Sequence, residues 1–171
     1  FVTGPGGTGK SFLIKTLLKY FIDNGKKIAV CALTGVSAEL LGCNAKTIHS
    51  WSGTGILKGK LEKIIDNIYK REKDKTWLST DVLIVDEVSM MNKKLFEALD
   101  KIGKLIRKIN KPFGGIQLIF LGDFYQLPPV GDNHDINTYK FCFESVLWKQ
   151  TFHKTIVLTK IYRQNTGRKK S

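Results

Sequence analysis

Two rhythms of apolar residues alternate along this chain. Short runs that are apolar on both faces occur at residues 27–33, 81–85 and 116–121. Their length and β-branched content suit strands buried on both sides, as in a parallel sheet. Between them, apolar residues return every third or fourth position. One such stretch carries Phe12, Leu13, Leu17, Leu18, Phe21 and Ile22, another Leu61, Ile64, Ile65 and Ile68, and a third Leu95, Leu99, Ile102, Ile106 and Ile109. Each spacing lays its apolar side chains along one face of a helix. Strands alternating with helices predict an α/β fold, a mostly parallel sheet with helices on both faces.

Punctuation along the chain sharpens the outline. Phe1, Val2 and Thr3 form an apolar stub that reads as the end of a strand, and Asn24-Gly25 closes the first helix. A short helix is expected from Val36 to Leu41. The glycine-rich segment at residues 51–55 leads into the second amphipathic stretch, which a charged run at 70–75 closes, and this part is expected to be an exposed insertion. Residues 112–115, Pro-Phe-Gly-Gly, enter the strand at 116, and the apolar residues 155–158 read as a strand returning to the same sheet edge. With 171 residues and 42% hydrophobic content, the chain can bury a full core but is too short for two such domains. One domain over residues 1–171 is expected.

Charge adds a partner class. The formal net charge is +13, a bias that favours polyanions. Lys93, Lys94, Lys101, Lys104, Arg107, Lys108 and Lys111 face only Glu97 and Asp100 along the third amphipathic stretch. That outer face is either a nucleic-acid contact or a solvated helix exterior. Cys31, Cys43 and Cys142 are widely spaced, without a C-x-x-C pair, and read as buried thiols in a reducing compartment. No apolar run approaches the roughly 18 to 20 residues of a membrane span, and no secretion signal opens the chain.

Candidate chemistry begins at Gly4-Pro5-Gly6-Gly7-Thr8-Gly9-Lys10-Ser11, which fills every position of the phosphate-binding pattern G-x-x-x-x-G-K-[ST]. It lies between a strand and a helix, where backbone N–H groups and the helix dipole can hold phosphates. Lys10 is expected to reach the β- and γ-phosphates and the Ser11 hydroxyl to ligate Mg²⁺. The apolar run at 81–85 ends in Asp86 and Glu87, placing two carboxylates beyond the carboxyl end of a central strand. Adjacent residues there point different ways, so Asp86 can hold the ion while Glu87 polarises an attacking water. A third strand end, Gly122-Asp123-Phe124-Tyr125-Gln126, can bring the Gln126 amide to the γ-phosphate, with Phe124 and Tyr125 as exposed aromatics beside it. Together these residues imply ATP hydrolysis.

Asp86-Glu87 and the run Gly122-Asp123-Phe124-Tyr125-Gln126-Leu127-Pro128-Pro129-Val130 resemble motifs of superfamily 1 helicases, and the second resembles the Pif-one branch (petite integration frequency helicases) of superfamily 1B. Thr34-Gly35 with Ala38 is similar to motif Ia, Thr47-Ile48-His49-Ser50-Trp51 to the family's Thr-Ile-His-Ser segment, and residues 158–164 to motif IV. The resemblance implies a RecA-like domain that uses ATP and Mg²⁺, with Lys10, Glu87, Gln126 and Arg163 in catalysis. Ser11 and Asp86 would hold the metal, and Tyr162 would lie against the adenine. Thr34, Gly35, His49 and Ser50 would contact single-stranded DNA, mainly its backbone, with Trp51 and Phe124 stacking on bases. His49 as a core histidine, and Thr34 and Ser50 as turn formers, are the alternatives.

The same resemblance implies 5′-to-3′ unwinding of DNA, action at DNA junctions, and roles in repair, recombination and telomere maintenance. A monomer is expected, in the nucleus or mitochondrion of a eukaryote or otherwise the cytoplasm. The family's second RecA-like domain does not follow Gln164, so the chain is expected to be the first motor domain of a longer protein and inactive alone. A RecD-like helicase, or a module that binds ATP and DNA without turnover, remains the other reading.

Overall fold

The structure, a computed structural model, describes residues 1–162. In chain order its elements are β1 (Val2–Thr3), α1 (Lys10–Asp23), β2 (Ile28–Ala32), α2 (Gly35–Leu41), β3 (Lys46–Thr47), α3 (Ile48–Ser52), α4 (Leu61–Lys70), α5 (Asp74–Ser79), β4 (Val82–Val85), α6 (Lys93–Arg107), β5 (Gln117–Gly122), α7 (Leu147–Thr151) and β6 (Ile156–Val157). The strands form one six-stranded sheet in the order β3-β2-β4-β5-β1-β6. Every neighbouring pair is parallel, so the sheet is wholly parallel rather than mostly so.

Side-chain alternation along the strands explains why both faces are covered. In β4, Val82 and Ile84 join the core beneath α1 and α2, whereas Leu83 and Val85 join the larger core that contains residues of α3 to α6. All four are fully or nearly fully buried. Complete burial of a Val, Leu or Ile side chain contributes about 1.5–3 kcal/mol, and a strand that contributes to two cores this way belongs at the centre of the sheet. Its neighbours follow suit: Val30 and Ala32 of β2 face one core and Cys31 the other, and β5 divides Leu121 from Phe120 in the same manner.

Three sequence expectations are corrected. The amphipathic stretch around Ile64 and Ile68 is no exposed insertion: both side chains are buried in the larger core with Trp51 and Trp77, so α4 and α5 form part of its wall. Ile109 is partly exposed and lies beyond α6, so the buried stripe of that helix ends at Ile106. Cys43, expected to be a buried thiol, is only partly buried, whereas Cys31 and Cys142 are buried. The basic outer face of α6 is paired in part within the protein, which leaves both readings of it open. Lys94 pairs with Asp135 at 2.9 Å, Lys104 with the buried Asp100 at 2.7 Å, and Lys93 approaches Glu97 at 3.9 Å.

Arg107 shows how a surface charge can be structural. Its guanidinium donates to the carbonyls of Gly114 at 2.7 Å and Trp77 at 2.6 Å, and at 3.3 Å to those of Leu78 and Thr80. It thereby satisfies carbonyls at the end of α5 and ties that helix to the segment entering β5. Arg107→Ala should cost about 1.5–3 kcal/mol of unfolding free energy, the scale of hydrogen bonds to a charged group. Urea denaturation measures the loss, and binding of a polyanion by the folded variant should be unchanged.

Candidate active site

The loop between β1 and α1 has a shape that few residues other than glycine permit. Gly9, the residue before α1, has φ 87°, and a Cβ on Gly4 would lie 2.7 Å from the Leu158 carbonyl oxygen. The first condition needs a left-handed backbone and the second leaves no room for a side chain. No side chain caps the N-terminus of α1 and its first turn carries no acid. Its N–H groups and the positive end of its dipole are therefore turned to the loop without internal competition. Thr8 is buried and donates to the Pro5 carbonyl at 2.8 Å, bracing the turn. Lys10 Nζ lies folded back, donating to the carbonyls of Gly4 at 2.6 Å and Pro5 at 3.0 Å.

Strand order brings the acid pair to this loop. β4 and β5 are adjacent and β1 lies beside β5, so the segments leaving all three strands meet at one sheet edge. There a cavity of about 580 Å³ is lined by Gly6, Lys10, Ser11, Asp86, Glu87 and Gln126 among others. Asp86 is 9% exposed, and its Oδ1 accepts the Glu87 N–H at 2.9 Å. Burial pushes its carboxyl above the ordinary value of 3.8, and the neighbouring Glu87 charge adds to this, while the Glu87 N–H and the Lys10 ammonium act against it. Glu87 follows with φ 57° and ψ 40°, a left-handed conformation uncommon outside glycine. Its Oε2 accepts the Ser37 hydroxyl at 2.6 Å.

The donor set fits a hard divalent ion that shares its ligands with phosphate. Asp86 and the exposed Ser11 hydroxyl face the same cavity, and among the described residues no group of three His, Cys, Asp or Glu could hold a metal alone. Mg²⁺ is typically bound through one or two carboxylates plus phosphate oxygens and water. Gln126 sits at the other wall, with its Nε2 3.6 Å from where a Gly6 Cβ would be. The Tyr162 N–H donates to the Gly7 carbonyl at 2.8 Å, and its ring lines the cavity beside Gly9, under the Lys160 ammonium at 5.0 Å. Arg163 lies outside the described residues.

A second cavity, of about 620 Å³, opens at the same edge beyond β2. Thr34 and His49 line it, together with Lys58, Asn92 and Lys94; of these, Lys94 belongs to the basic face read as a possible nucleic-acid contact, whereas Lys58 and Asn92 were not legible as site residues. Thr34 is also a turn former, since its Oγ1 accepts the Ser37 N–H at 3.1 Å and caps α2. His49 is half-buried, and burial lowers its pKa below 6.5, so the ring is neutral at physiological pH. Gly35 and Ser50 are exposed on the first turns of α2 and α3.

The two aromatic stacking candidates do not stand free. Trp51 is 4% exposed and packs on Trp77 with ring centroids 4.6 Å apart, so no base can reach its face. Phe124 is only partly exposed, held among Phe1, Phe141, Phe143 and Trp148. Tyr125 alone of that run is a fully exposed ring. Hydrophobic side chains placed next to a site serve its walls when a core lies behind them.

The family model described as PIF1-like helicase matches residues 1–171. The chain belongs to that family. It is 42% identical over 172 residues to the ATP-dependent DNA helicase RRM3 of Saccharomyces cerevisiae, and 39% identical over 164 residues to the ATP-dependent DNA helicase PIF1 of Homo sapiens. Those matches cover 98% and 96% of this chain but 23% and 25% of the relatives, so the chain spans about a quarter of their length. The crystal structure of Pif1 helicase from Candida albicans superposes with a TM-score of 0.88 at 43% identity, covering 98% of this chain and 37% of that one. A Bacteroides Pif1 helicase in complex with ADP-AlF3 and single-stranded DNA gives 0.79 at 31% identity, over 96% of this chain and 39% of that one. The RecA-like fold of the family is thus the fold of this chain.

Asp86 gives a test with a defined sign. Its folded pKa is raised, so the folded state holds this proton more tightly than the unfolded one, and stability falls as pH rises above 3.8. At neutral pH the ionised carboxylate is a cost to the ligand-free fold. Asp86→Asn keeps the acceptor for the Glu87 N–H and should raise the thermal midpoint at pH 7 without ligand, an advantage that shrinks on acidification. The same variant should lose the metal dependence of nucleotide binding, read by titration with and without Mg²⁺.

Proposed function

We propose that this chain is the first RecA-like motor domain of an ATP-dependent DNA helicase, which hydrolyses ATP with Mg²⁺ to move 5′ to 3′ along a single strand. The observation that most supports this is the convergence of three strand ends, β1, β4 and β5, on one cavity that holds Lys10, Asp86, Glu87 and Gln126. The strand-side cavity with Thr34 and His49 opens at the same edge.

In this reading the loop N–H groups and the α1 dipole hold the phosphates, and Lys10 exchanges the Gly4 and Pro5 carbonyls for phosphate oxygens. Ser11 and Asp86 hold Mg²⁺, which when bound neutralises phosphate charge. Glu87 accepts the proton of the attacking water, Gln126 contacts the γ-phosphate, and Arg163 adds positive charge as the transition state forms. Tyr162 borders the nucleotide on the Gly9 side. A neutral His49 offers hydrogen bonds without charge, and Thr34, Gly35 and Ser50 add backbone-sized contacts, which suits a sugar-phosphate chain rather than base reading. Single strands and DNA junctions are the partners, a second RecA-like domain of the same protein completes the motor, and the protein acts as a monomer.

ATP turnover by the full-length protein with and without single-stranded DNA tests the reading. Turnover should rise with the strand, and an absence of hydrolysis under both conditions would overturn it. Glu87→Gln should still bind ATP with Mg²⁺ but hydrolyse it about 10² to 10⁴ times more slowly, the loss expected on removing a general base. Near-normal turnover in a single-turnover assay would assign the water to another residue. Strand affinity should also fall with salt, with a log-log slope of about −0.7 for each phosphate neutralised.

A further inference from the structure

One chain of hydroxyls runs between the two cavities. Thr34 lines the strand-side cavity and Glu87 lines the phosphate-side one. Thr34 Oγ1 donates to Ser37 Oγ at 2.8 Å, and Ser37 Oγ donates to Glu87 Oε2 at 2.6 Å. Each hydroxyl has a single proton to give. The Thr34 proton is thus committed to Ser37, and the Ser37 proton to the carboxylate. Both ends of the chain are held by backbone: Thr34 caps α2 through the Ser37 N–H, and Glu87 sits at φ 57° directly after Asp86.

We propose that Ser37 is a positioning residue that restrains Glu87 while the strand-side cavity is empty of nucleic acid, and that a strand phosphate at Thr34 releases it. The proposal rests on the reading of Glu87 as the water-activating base and of Thr34 as a strand contact. A phosphate oxygen has no proton, so it can bond the Thr34 hydroxyl only by taking the proton now given to Ser37. The relay is complete only without the strand. When Thr34 turns away, Ser37 loses the donor that polarises its own hydroxyl, and its bond to Glu87 weakens. Until then one Glu87 oxygen is tied to α2 by a charge-assisted hydrogen bond, and the side chain is not free to follow a water at the γ-phosphate. The link is reciprocal: a nucleotide state that draws Glu87 away from Ser37 alters the affinity of Thr34 for the strand.

A purely structural role for the Ser37 hydroxyl would be a contribution to α2, but the N–H of Ser37 is already capped by Thr34 and the hydroxyl points to another element. Ser37→Ala favours the helix by propensity, so the variant folds. In the full-length protein, steady-state ATP turnover is measured for wild type, Ser37→Ala and Ser37→Thr, each without and with saturating oligo-dT. Ser37→Ala should raise strand-free kcat about tenfold, the scale of one hydrogen bond to a charged group, and leave strand-saturated kcat within about twofold. The stimulation factor therefore shrinks, while the KM for ATP stays near the wild-type value. Ser37→Thr, which keeps a hydroxyl, should restore the wild-type factor. An unchanged stimulation factor in Ser37→Ala, whether both rates stay equal or fall together, overturns the proposal. So does a Ser37→Thr variant that behaves like Ser37→Ala. A wild type that shows no strand stimulation would instead overturn the functional reading on which the proposal rests.

Discussion

A strand buried on both faces can offer chemistry only at its ends. β4 buries all four of its side chains in two separate cores, so the first residues able to meet a ligand are Asp86 and Glu87. The same constraint acts on β1, which yields to the glycine loop, and on β5, which yields to Asp123 and Gln126. Because all strands are parallel, these exits share one edge, and because β5 lies between β4 and β1, three segments far apart in the chain become neighbours. The site is a consequence of how the sheet hides its apolar surface.

Electrostatic arrangements at that edge look provisional until a ligand is bound. Asp86 is ionised at a cost set mainly by burial, with a single backbone N–H as its partner. Lys10 spends its donors on two loop carbonyls, and Glu87 spends one oxygen on Ser37. The loop carbonyls at Lys10 and the N–H at Asp86 are weaker partners than the phosphate or metal ion that would replace them, since bonds between full charges exceed those to neutral groups, whereas at Glu87 one neutral donor, the Ser37 hydroxyl, would give way to another, water. Away from the edge, two charges have permanent partners. Asp100 is buried between Lys104 and the Phe113 N–H, and Arg107 is anchored on four carbonyls.

Two features with the character of surfaces belong to the interior. The segment through Ile64 and Ile68 supplies a wall against which the Trp51–Trp77 pair packs, and Trp77 donates its indole N–H to the Ser52 carbonyl at 2.9 Å. Phe124, adjacent in sequence to residues lining the cavity at the ends of β1, β4 and β5, packs instead onto Phe143 and Trp148. Aromatic residues beside a site are shared between wall and ligand, and only their packing decides which they serve.

Local order in the sequence was enough to reveal every strand but β3, the longer helices and α2, and the residues gathered at the strand ends, but not α3, α5 or α7. The glycine loop, the acid pair and the Gln126 turn are contiguous segments whose function depends on their own backbone and on the strand that precedes them. Helical and strand periodicity likewise reports burial, because a face that repeats apolar residues must meet a core. What remained hidden depends on contacts between distant segments. Nothing local marks Ser37 as the partner of Glu87, fifty residues on, or Arg107 as the anchor of α5. Nor does the run from residue 51 to 75 state whether its apolar face meets a core or water. Those outcomes follow from strand order and helix packing, which bring together side chains that the sequence keeps apart, and they were decided by the tertiary structure alone.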